Sequence, residues 1–251
     1  MLARPILRNF LRPAWYTSQK VVLGRLGLRN YRSRELWLYF GVPRPTNREI
    51  EVKLPVEDIP VLVRKLKALK AANCGRVFER NTLYDTPRSH LRRSGRLLRV
   101  RTETPAPSIW SRPGQLQSMI TSKAPPKSTE PKYKYKERLE RETAISQSER
   151  WPRALASLGF RPSFVYEKFR TSFRLPGVHL DLDETPVGTF LELEGNGETI
   201  DRVAKALGYS ARGYFCGTYW DVYAADCRRR GLPIKNMVFD RKKLLKSALF
   251  A

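Results

Sequence analysis

The chain has 251 residues, of which 41% are hydrophobic, and a formal net charge of +24. This length suits one substantial domain with extensions, and no apolar run is long enough to span a bilayer. The excess of Lys and Arg indicates a polyanionic partner: nucleic acid, a phosphate-rich ligand or an acidic membrane surface. The 3 Cys and 2 His residues show neither a zinc-site spacing nor a disulfide framework, which favours a reducing compartment.

Residues 1–46 differ from the rest, because basic residues are interleaved with apolar ones and Glu35 is the sole acid. An Arg-rich, acid-poor N-terminus is typical of a transit peptide. The other interpretations are a disordered basic arm and an upstream start codon that adds untranslated sequence. We therefore predict a basic N-terminal extension over 1–46, transit-like or disordered. The predicted location is cytoplasmic, with the mitochondrial matrix as the alternative if this segment is a transit peptide.

The first predicted strand contains Glu49-Ile50-Glu51-Val52-Lys53. Successive side chains of a strand point to opposite faces, so the charged residues share one face and the aliphatic residues share the other. One such strand alone favours a surface strand whose charges lie in water. The later rows of the sequence argue against that interpretation.

The same alternation recurs along the chain, between predicted helices. Polar or charged residues occupy every second position in these rows: Thr121 and Lys123; Arg99 and Arg101; Lys134, Lys136, Arg138, Glu140 and Glu142; Lys168 and Arg170; Asp181 and Asp183; Glu192 and Glu194. Helical spacing follows Asp58, and further helices are predicted around 149–158, over 200–207 and from Tyr219 to Gly231.

Helices packed on the apolar faces would turn the charged faces towards each other. Antiparallel strands can close into a barrel, and the inner face of a barrel can be polar if it holds a ligand. Buried unpaired charges cost several kcal/mol each. We therefore expect a lumen of mixed acids and bases to be wet and to bind a charged ligand.

Both halves of a metal–phosphate site are present in these rows. One Arg guanidinium can bind two phosphate oxygens at once, whereas the Lys ammonium acts as a point charge. The candidate phosphate ligands are therefore Lys53, Arg99, Arg101, Lys123, Arg138, Lys168 and Arg170. Mg²⁺ prefers oxygen ligands, and the candidates are Glu49, Glu51, Asp183, Glu192 and Glu194. Carboxylates would repel a phosphate, and a divalent metal removes that conflict.

In their order along the chain, these motifs resemble the signature of the CYTH, or triphosphate tunnel metalloenzyme, superfamily. The motifs are Glu49-x-Glu51-x-Lys53, Tyr84-Asp85-Thr86-Pro87, Leu98-Arg99-Val100-Arg101, Thr121-x-Lys123, Arg138-x-Glu140-x-Glu142, Lys168-x-Arg170, Asp181-x-Asp183-Glu184, Gly188-x-Phe190 and Glu192-x-Glu194. The resemblance implies an α+β fold over 47–227, a closed eight-stranded antiparallel β-barrel (a tunnel) with helices packed on the outside. A basic C-terminal tail is predicted at 228–251.

The resemblance also implies roles for these residues. Glu49, Glu51, Glu192 and Glu194 would hold Mg²⁺ or Mn²⁺, with Asp183 as a helper. Lys53, Arg99, Arg101, Lys123 and Arg170 would bind the triphosphate, and the catalytic role is assigned to Lys53, Arg101 and Arg138. Arg138, Glu140, Glu142 and Lys168 could each instead only neutralise a neighbouring charge.

The family includes class IV adenylate cyclases, thiamine triphosphatases and inorganic triphosphatases. The resemblance implies a metal-dependent enzyme that hydrolyses an inorganic, thiamine or nucleoside triphosphate. One alternative is a class IV adenylate cyclase that converts ATP to cyclic AMP and pyrophosphate. The other is a non-catalytic polyphosphate or RNA-binding module, which the net charge supports. A pure phosphate binder gains nothing from the acids Glu49, Glu51, Glu192 and Glu194, and the sequence contains no recognised nucleic-acid motif. Nucleic acid is therefore the less favoured partner. The sequence leaves the oligomeric state open.

Overall fold

The computed structural model describes residues 47–105, 117–126, 134–146 and 148–240. Within them, eight strands form a closed barrel in the order β1-β5-β4-β3-β2-β6-β7-β8, with every neighbouring pair antiparallel. The strands are β1 (Asn47–Val56), β2 (Ala72–Asp85), β3 (Leu97–Pro105), β4 (Gln117–Ala124), β5 (Lys136–Ala144), β6 (Arg161–Leu175), β7 (Val178–Thr185) and β8 (Gly188–Gly195). The predicted eight-stranded barrel is confirmed. The N-terminal extension predicted at 1–46 lies outside the described residues.

Five α-helices of the described residues accompany the barrel. They are α1 (Ile59–Ala68), α2 (His90–Arg93), α3 (Trp151–Ser157), α4 (Gly197–Ala206) and α5 (Tyr219–Arg229). Four of them lie where helical spacing was predicted, whereas α2 is a single turn too short to show a periodicity. No helix in the described part of the chain is long and apolar enough to cross a membrane.

The aliphatic faces of the strands form the main hydrophobic core, outside the barrel wall. Leu54, Leu180 and Leu193 are fully buried there and pack in one cluster with residues of α1 and α4, among them Leu66 and Ile200. Burying one such side chain contributes about 1.5–3 kcal/mol. Since alternate residues must face the other way, this packing fixes the charged faces of β1, β7 and β8 towards the lumen.

Helices α1 and α4 begin at side-chain caps. Asp58 accepts a 2.8 Å hydrogen bond from the backbone N–H of Val61, and Asn196 accepts one of the same length from Thr199. The ammonium of Lys65 donates to the carbonyl of Leu207 at 2.7 Å and ties the two helices together. Asp58, which the predicted helical spacing follows, is therefore the N-cap of α1.

The Tyr84-Asp85-Thr86-Pro87 motif has a structural explanation in the turn that leads into α2. Both carboxylate oxygens of Asp85 are used, since they accept backbone N–H groups of Thr86, Leu91 and Arg92 at 2.7–3.0 Å. Burial opposes the charge of Asp85, but these donors and the nearby Arg92 outweigh it and hold the pKa of the carboxyl below its usual value. Asp85 therefore fixes the corner between β2 and β3 in its ionised form.

We expect Asp85→Ala to lower the free energy of unfolding by about 1–2 kcal/mol at pH 7, because three backbone donors lose their acceptor. Since the folded-state pKa is depressed, this stabilisation is present above the unfolded pKa of about 3.9 and is lost as the pH falls through the folded-state value. Urea denaturation should therefore show the same deficit at pH 5 as at pH 7, and a smaller deficit only below about pH 4. The control is Glu57→Gln, which removes an exposed acid. An unchanged stability of Asp85→Ala would contradict this role.

The chain after α5 returns to the barrel. Residues 236–239 lie beside the first half of β6. The N–H of Met237 donates to the carbonyl of Val165 at 2.9 Å, the N–H of Glu167 donates to the carbonyl of Met237 at 2.9 Å, and Met237 is 0% exposed. The carboxylate of Glu167 accepts the N–H of Phe239 at 3.1 Å. Residues 236–239 of the predicted C-terminal tail are therefore attached to the barrel.

Candidate active site

The lumen of the barrel contains an unusual concentration of buried charge. Glu49, Glu51, Lys53, Glu79, Arg99, Arg101, Lys168, Asp181 and Asp183 are all buried, with exposed fractions between 0% and 9%. These residues come from β1, β2, β3, β6 and β7, and each takes the alternate position that faces away from the outer core. Buried charges are retained only when they are paired, so the pairing pattern shows how the site is built.

Asp183 is the centre of the most connected group. Its carboxylate accepts from Lys168 Nζ at 2.8 Å and from Arg170 Nε and Nη2 at 2.7 and 2.6 Å. The hydroxyl of Tyr219 donates to Asp183 Oδ2 at 2.6 Å. Burial, together with Glu192, raises the pKa of Asp183 against the attraction of Arg170 and Lys168. Asp183 thus orients two cations that the sequence had assigned to phosphate.

Tyr219 brings the first turn of α5 against one end of this group. Its ring lies 5.4 Å from Lys53 Nζ and 4.9 Å from Lys168 Nζ, within the range of a cation–π interaction. The helix start is fixed by a capping box in which Thr218 and Asp221 bond each other's backbone N–H. The sequence predicted this helix but gave no sign that its first residue reaches the lumen.

We expect Tyr219→Phe to destabilise the fold by about 1.5–3 kcal/mol, because the hydrogen bond that it removes is buried and has a charged acceptor. The ring would remain over both lysines. Thermal or urea denaturation measures the loss, with Tyr223→Phe as the control on the same helix. Equal stabilities of the two variants would show that the Tyr219 hydroxyl does not hold Asp183.

Lys53 links β1 to β8. Its ammonium lies 2.8 Å from Glu51 Oε1 and 3.0 Å from Glu192 Oε1, and Lys136 donates to the same oxygen of Glu51 at 2.5 Å. Burial depresses the pKa of Lys136 to about 8, with help from Lys53 and against the attraction of Glu51. Two lysines therefore compete for one carboxylate, while Glu192 also contacts Arg170 Nη2 at 2.6 Å.

The opposite wall, on β3, β4 and β5, contains a second group. Lys123 donates to both oxygens of Glu49 at 2.6 and 2.7 Å and lies 3.4 Å from Glu140. Arg99 bonds Thr121 at 3.1 Å and lies 3.4 Å from Glu142. The Nε of Arg99 is buried and has no hydrogen-bond partner among the described residues. A buried guanidinium donor without an acceptor is costly, which fits a site that an anionic ligand completes.

Negative charge is in excess around Glu49 and Glu194. Burial raises the pKa of Glu49 to about 7, with Glu51 and Glu140 adding to the effect against Lys123. Burial, Glu140 and Glu51 also raise the pKa of Glu194. Within the described chain, Glu194 has no hydrogen bond or ion pair shorter than 4 Å. These acids lie in adjacent strands, since Glu51 is opposite Glu194 in the β1–β8 ladder.

Among the described residues of the lumen, acids outnumber bases. The bases are Lys53, Arg99, Arg101, Lys123, Lys136, Arg138, Lys168 and Arg170, and the acids are Glu49, Glu51, Glu79, Glu103, Glu140, Glu142, Asp181, Asp183, Glu192 and Glu194. The excess positive charge of the chain is therefore located outside the lumen. An anionic ligand would meet a lumen that is not cationic overall, and a divalent cation would correct this imbalance.

The donor set fits a hard divalent cation by its chemistry. Carboxylate oxygens are the preferred ligands of Mg²⁺ and Mn²⁺, and Glu49, Glu51 and Glu194 lie on neighbouring strands. No group of three or more His, Cys, Asp or Glu side chains of the described residues is arranged as a metal site. The reason is visible in the pairing: lysine ammonium groups occupy the carboxylates of Glu49 and Glu51. A metal would displace these lysines.

Most of the residues that the sequence assigned to the site lie together in the lumen. Arg138 differs from the others in its contacts. Arg138 donates to the carbonyl of Gly95, in the turn before β3, and makes no ion pair with an acid of the described lumen. The sequence missed Glu79, Asn81 and Tyr219. In Phe78-Glu79-Arg80-Asn81-Thr82 two of the three outward positions, Arg80 and Thr82, are themselves polar, so the alternation that revealed the other strands is broken.

Comparison with known proteins agrees with this architecture. Residues 47–210, more than half of the chain, match the CYTH domain family. The chain belongs to the CYTH domain family. The predicted family is therefore confirmed.

Solved structures show the same fold at low identity. A proposed adenylate cyclase from Vibrio parahaemolyticus is 18% identical, with a TM-score of 0.59 over 72% of this chain and 99% of that chain. The PH1819 protein of Pyrococcus horikoshii is 20% identical (TM-score 0.58; 71% and 99% covered), and the PH1012 protein of the same organism is 24% identical (TM-score 0.54; 69% and 98% covered). A search of curated proteins found no match.

Proposed function

We propose that this CYTH domain is a metal-dependent triphosphatase that binds its substrate in the lumen of the barrel. One observation carries this proposal: buried guanidinium and ammonium groups line the lumen together with a larger number of carboxylates. A triphosphate bound with divalent metal satisfies both sets at once. The family supports the proposal at the coarser level, since CYTH proteins include triphosphatases and adenylate cyclases.

The phosphate-binding residues in this proposal are Lys53, Arg99, Arg101, Lys123, Lys168 and Arg170. Arg99 offers a buried Nε without a partner in the described chain, and Arg101 and Arg170 each direct a guanidinium into the lumen from opposite sides of Glu79. Arg138 remains a candidate at the end of the lumen near Gly95. Ion pairs between these bases and lumen acids keep the guanidinium groups oriented before substrate binds, which favours catalysis by positioning.

The metal-binding residues in this proposal are Glu49, Glu51, Glu192 and Glu194, with Asp183 as a helper. When bound, Mg²⁺ or Mn²⁺ would supply charge neutralisation of the phosphate oxygens and Lewis-acid polarisation. The lysines that it displaces from Glu49 and Glu51, Lys123 and Lys136, would then be free to bind phosphate oxygens. In this proposal the same lysines neutralise the lumen acids when no metal is bound and bind phosphate oxygens when it is.

Hydrolysis is the favoured reaction because it requires only a triphosphate and water. In it, water attacks the terminal phosphorus, the bond from that phosphorus to the bridging oxygen breaks, and diphosphate leaves with that oxygen. Cyclisation of ATP would require in addition that the ribose 3′-hydroxyl be held against the α-phosphorus, and among the described residues we identify no set that would bind the nucleoside. A non-catalytic polyanion-binding module is less well supported, since pure phosphate binding gains nothing from an excess of buried acids.

Product analysis tests the proposed function. Purified protein is incubated with Mg²⁺ or Mn²⁺ and, separately, with tripolyphosphate, thiamine triphosphate and ATP, and orthophosphate, pyrophosphate and cyclic AMP are measured together. We expect orthophosphate from the preferred substrate, with an equal amount of pyrophosphate if that substrate is tripolyphosphate and with no cyclic AMP from ATP. The best substrate identifies the enzyme's subclass. Pyrophosphate with an equal amount of cyclic AMP would replace the proposal by an adenylate cyclase. Absence of every product would favour the binding module.

A further inference from the structure

A carboxylate that none of the family motifs contains lies among three of the candidate phosphate ligands. Glu79, on β2, is 0% exposed. Its oxygens lie 3.4 Å from Arg101 Nη1, 3.5 Å from Lys168 Nζ and 3.5 Å from Arg170 Nε. These bases come from the two strands that flank β2 in the barrel, β3 and β6. Among the described residues, Glu79 is thus the one acid that contacts candidate phosphate ligands on both of these strands.

We propose that Glu79 is a positioning residue that holds Arg101, Lys168 and Arg170 in place and limits how tightly they bind a triphosphate. This inference rests on the proposed function, since it assigns those three bases to phosphate. It adds a residue that controls affinity and release at the same site.

The contacts of Glu79 show that it acts mainly through its charge. Its Oε1 has no hydrogen-bond partner in the described chain, and the three ion-pair distances are longer than those of the short pairs around Asp183. The one hydrogen bond to its other oxygen comes from Asn81 Nδ2 at 3.3 Å. Burial disfavours the ionised form, but Arg101, then Lys168 and Arg170, outweigh it and hold the pKa of Glu79 below its usual value. The carboxyl is therefore charged at neutral pH.

Asn81 connects this acid to the guanidinium of Arg101. The side-chain oxygen of Asn81 accepts from Arg101 Nε at 3.1 Å while its amide donates to Glu79. Asn81 is also 0% exposed. A change of charge at Glu79 or Asn81 therefore changes the electrostatic interaction with the same cations. Water cannot screen this interaction, because both residues are buried.

A negative charge at this place has two consequences for an anionic ligand. It keeps three bases converged that would otherwise repel one another, and it cancels part of their attraction for phosphate. Binding that is equally strong for substrate, transition state and product does not raise turnover, and slow product release often limits an enzyme. Glu79 would thus keep diphosphate from remaining bound.

Two substitutions of opposite sign test this inference. Binding is measured by calorimetry with Mg²⁺ and a methylene-bridged tripolyphosphate analogue, which water cannot cleave. We expect Glu79→Gln, which keeps size and removes the charge, to bind the analogue about tenfold more tightly, and Asn81→Asp, which adds a charge, to bind it about tenfold more weakly. With tripolyphosphate itself, KM and kcat of Glu79→Gln should both fall. A residue with a purely structural role would weaken binding in both variants.

Controls separate the outcomes. Glu184→Gln removes an acid that is paired with Arg76 on the outside of the barrel, and it should leave affinity unchanged. If Glu79→Gln does not fold, Asn81→Asp is compared with the uncharged Asn81→Ser, and the tenfold weakening must belong to the aspartate alone. Unchanged or weaker binding in a folded Glu79→Gln would overturn this inference while leaving the proposed function intact. Failure of the wild-type protein to bind the analogue would overturn both.

Discussion

Replacing Glu51 by Gln is expected to reduce Mg²⁺-dependent turnover of tripolyphosphate by roughly 100-fold to 1000-fold, the loss typical of removing one electrostatic contributor from an active site. Glu51 is buried between Lys53 and Lys136 and lies beside Glu194 in the β1–β8 ladder. It is therefore the acid at which the lysine pairs and the proposed metal site overlap. Gln retains the size of the side chain and an oxygen, but not the charge that a divalent cation requires.

The fold should survive this substitution. Breaking a buried pair typically costs about 3–5 kcal/mol when a charge is left alone. Lys53 keeps Glu192 as a partner at 3.0 Å, and Lys136, whose pKa is lowered to about 8, can lose its proton at moderate cost. Turnover is therefore measured per folded molecule, with circular dichroism as the check and Glu184→Gln as the control. Full activity of Glu51→Gln would remove Glu51 from the metal site.

Truncation of Arg101 is expected to weaken binding of the methylene-bridged analogue by about 10-fold to 100-fold, since a buried guanidinium contributes two charge-assisted hydrogen bonds to a phosphate. The loss of stability should be smaller than for an isolated buried pair. Glu79, the partner of Arg101 at 3.4 Å, keeps Lys168 and Arg170 beside it. The expected result for Arg101→Ala is thus a folded protein with reduced affinity.

Two variants make the Arg101 measurement specific. Arg80→Ala removes a guanidinium from the neighbouring strand whose partner is Glu167, away from the lumen acids, and it should leave affinity unchanged. Arg101→Lys keeps the charge and should recover only part of the affinity, because an ammonium cannot bind two phosphate oxygens in parallel. Equal affinities of Arg101→Ala and the wild type would place the phosphate site elsewhere.

The parts of the site that could be predicted from the sequence are those in which one face of a strand is aliphatic. Leu180 and Leu182 alternate with Asp181 and Asp183, and the two sets face the core and the lumen, as predicted. The same holds for Val52 and Leu54 beside Lys53. Burial of one face determines the direction of every side chain on the other.

The remaining parts depend on contacts between distant segments, for which a single sequence gives no signal. Which carboxylate Lys53 pairs with is decided by the register of β1 against β8. Tyr219 reaches Asp183 from a helix 36 residues away along the chain. The lumen position of Glu79 could not be predicted because its strand has polar residues on both faces. The packing of Met237 could not be predicted because the short segment that contains it pairs with β6 and shows no periodic pattern. Pairings of this kind follow from tertiary packing.

The excess of acids in the lumen leads to the most direct test of the whole interpretation. Calorimetric binding of the methylene-bridged analogue to the wild-type protein is measured with Mg²⁺ and then with EDTA, at one pH and ionic strength. If carboxylates and bases form one metal–phosphate site, we expect tight binding with Mg²⁺ and binding at least about 100-fold weaker in EDTA, a difference of roughly 2.8 kcal/mol. Equal affinity in EDTA would contradict the metal site and would mean that the Lys and Arg side chains of the lumen bind phosphate without a metal.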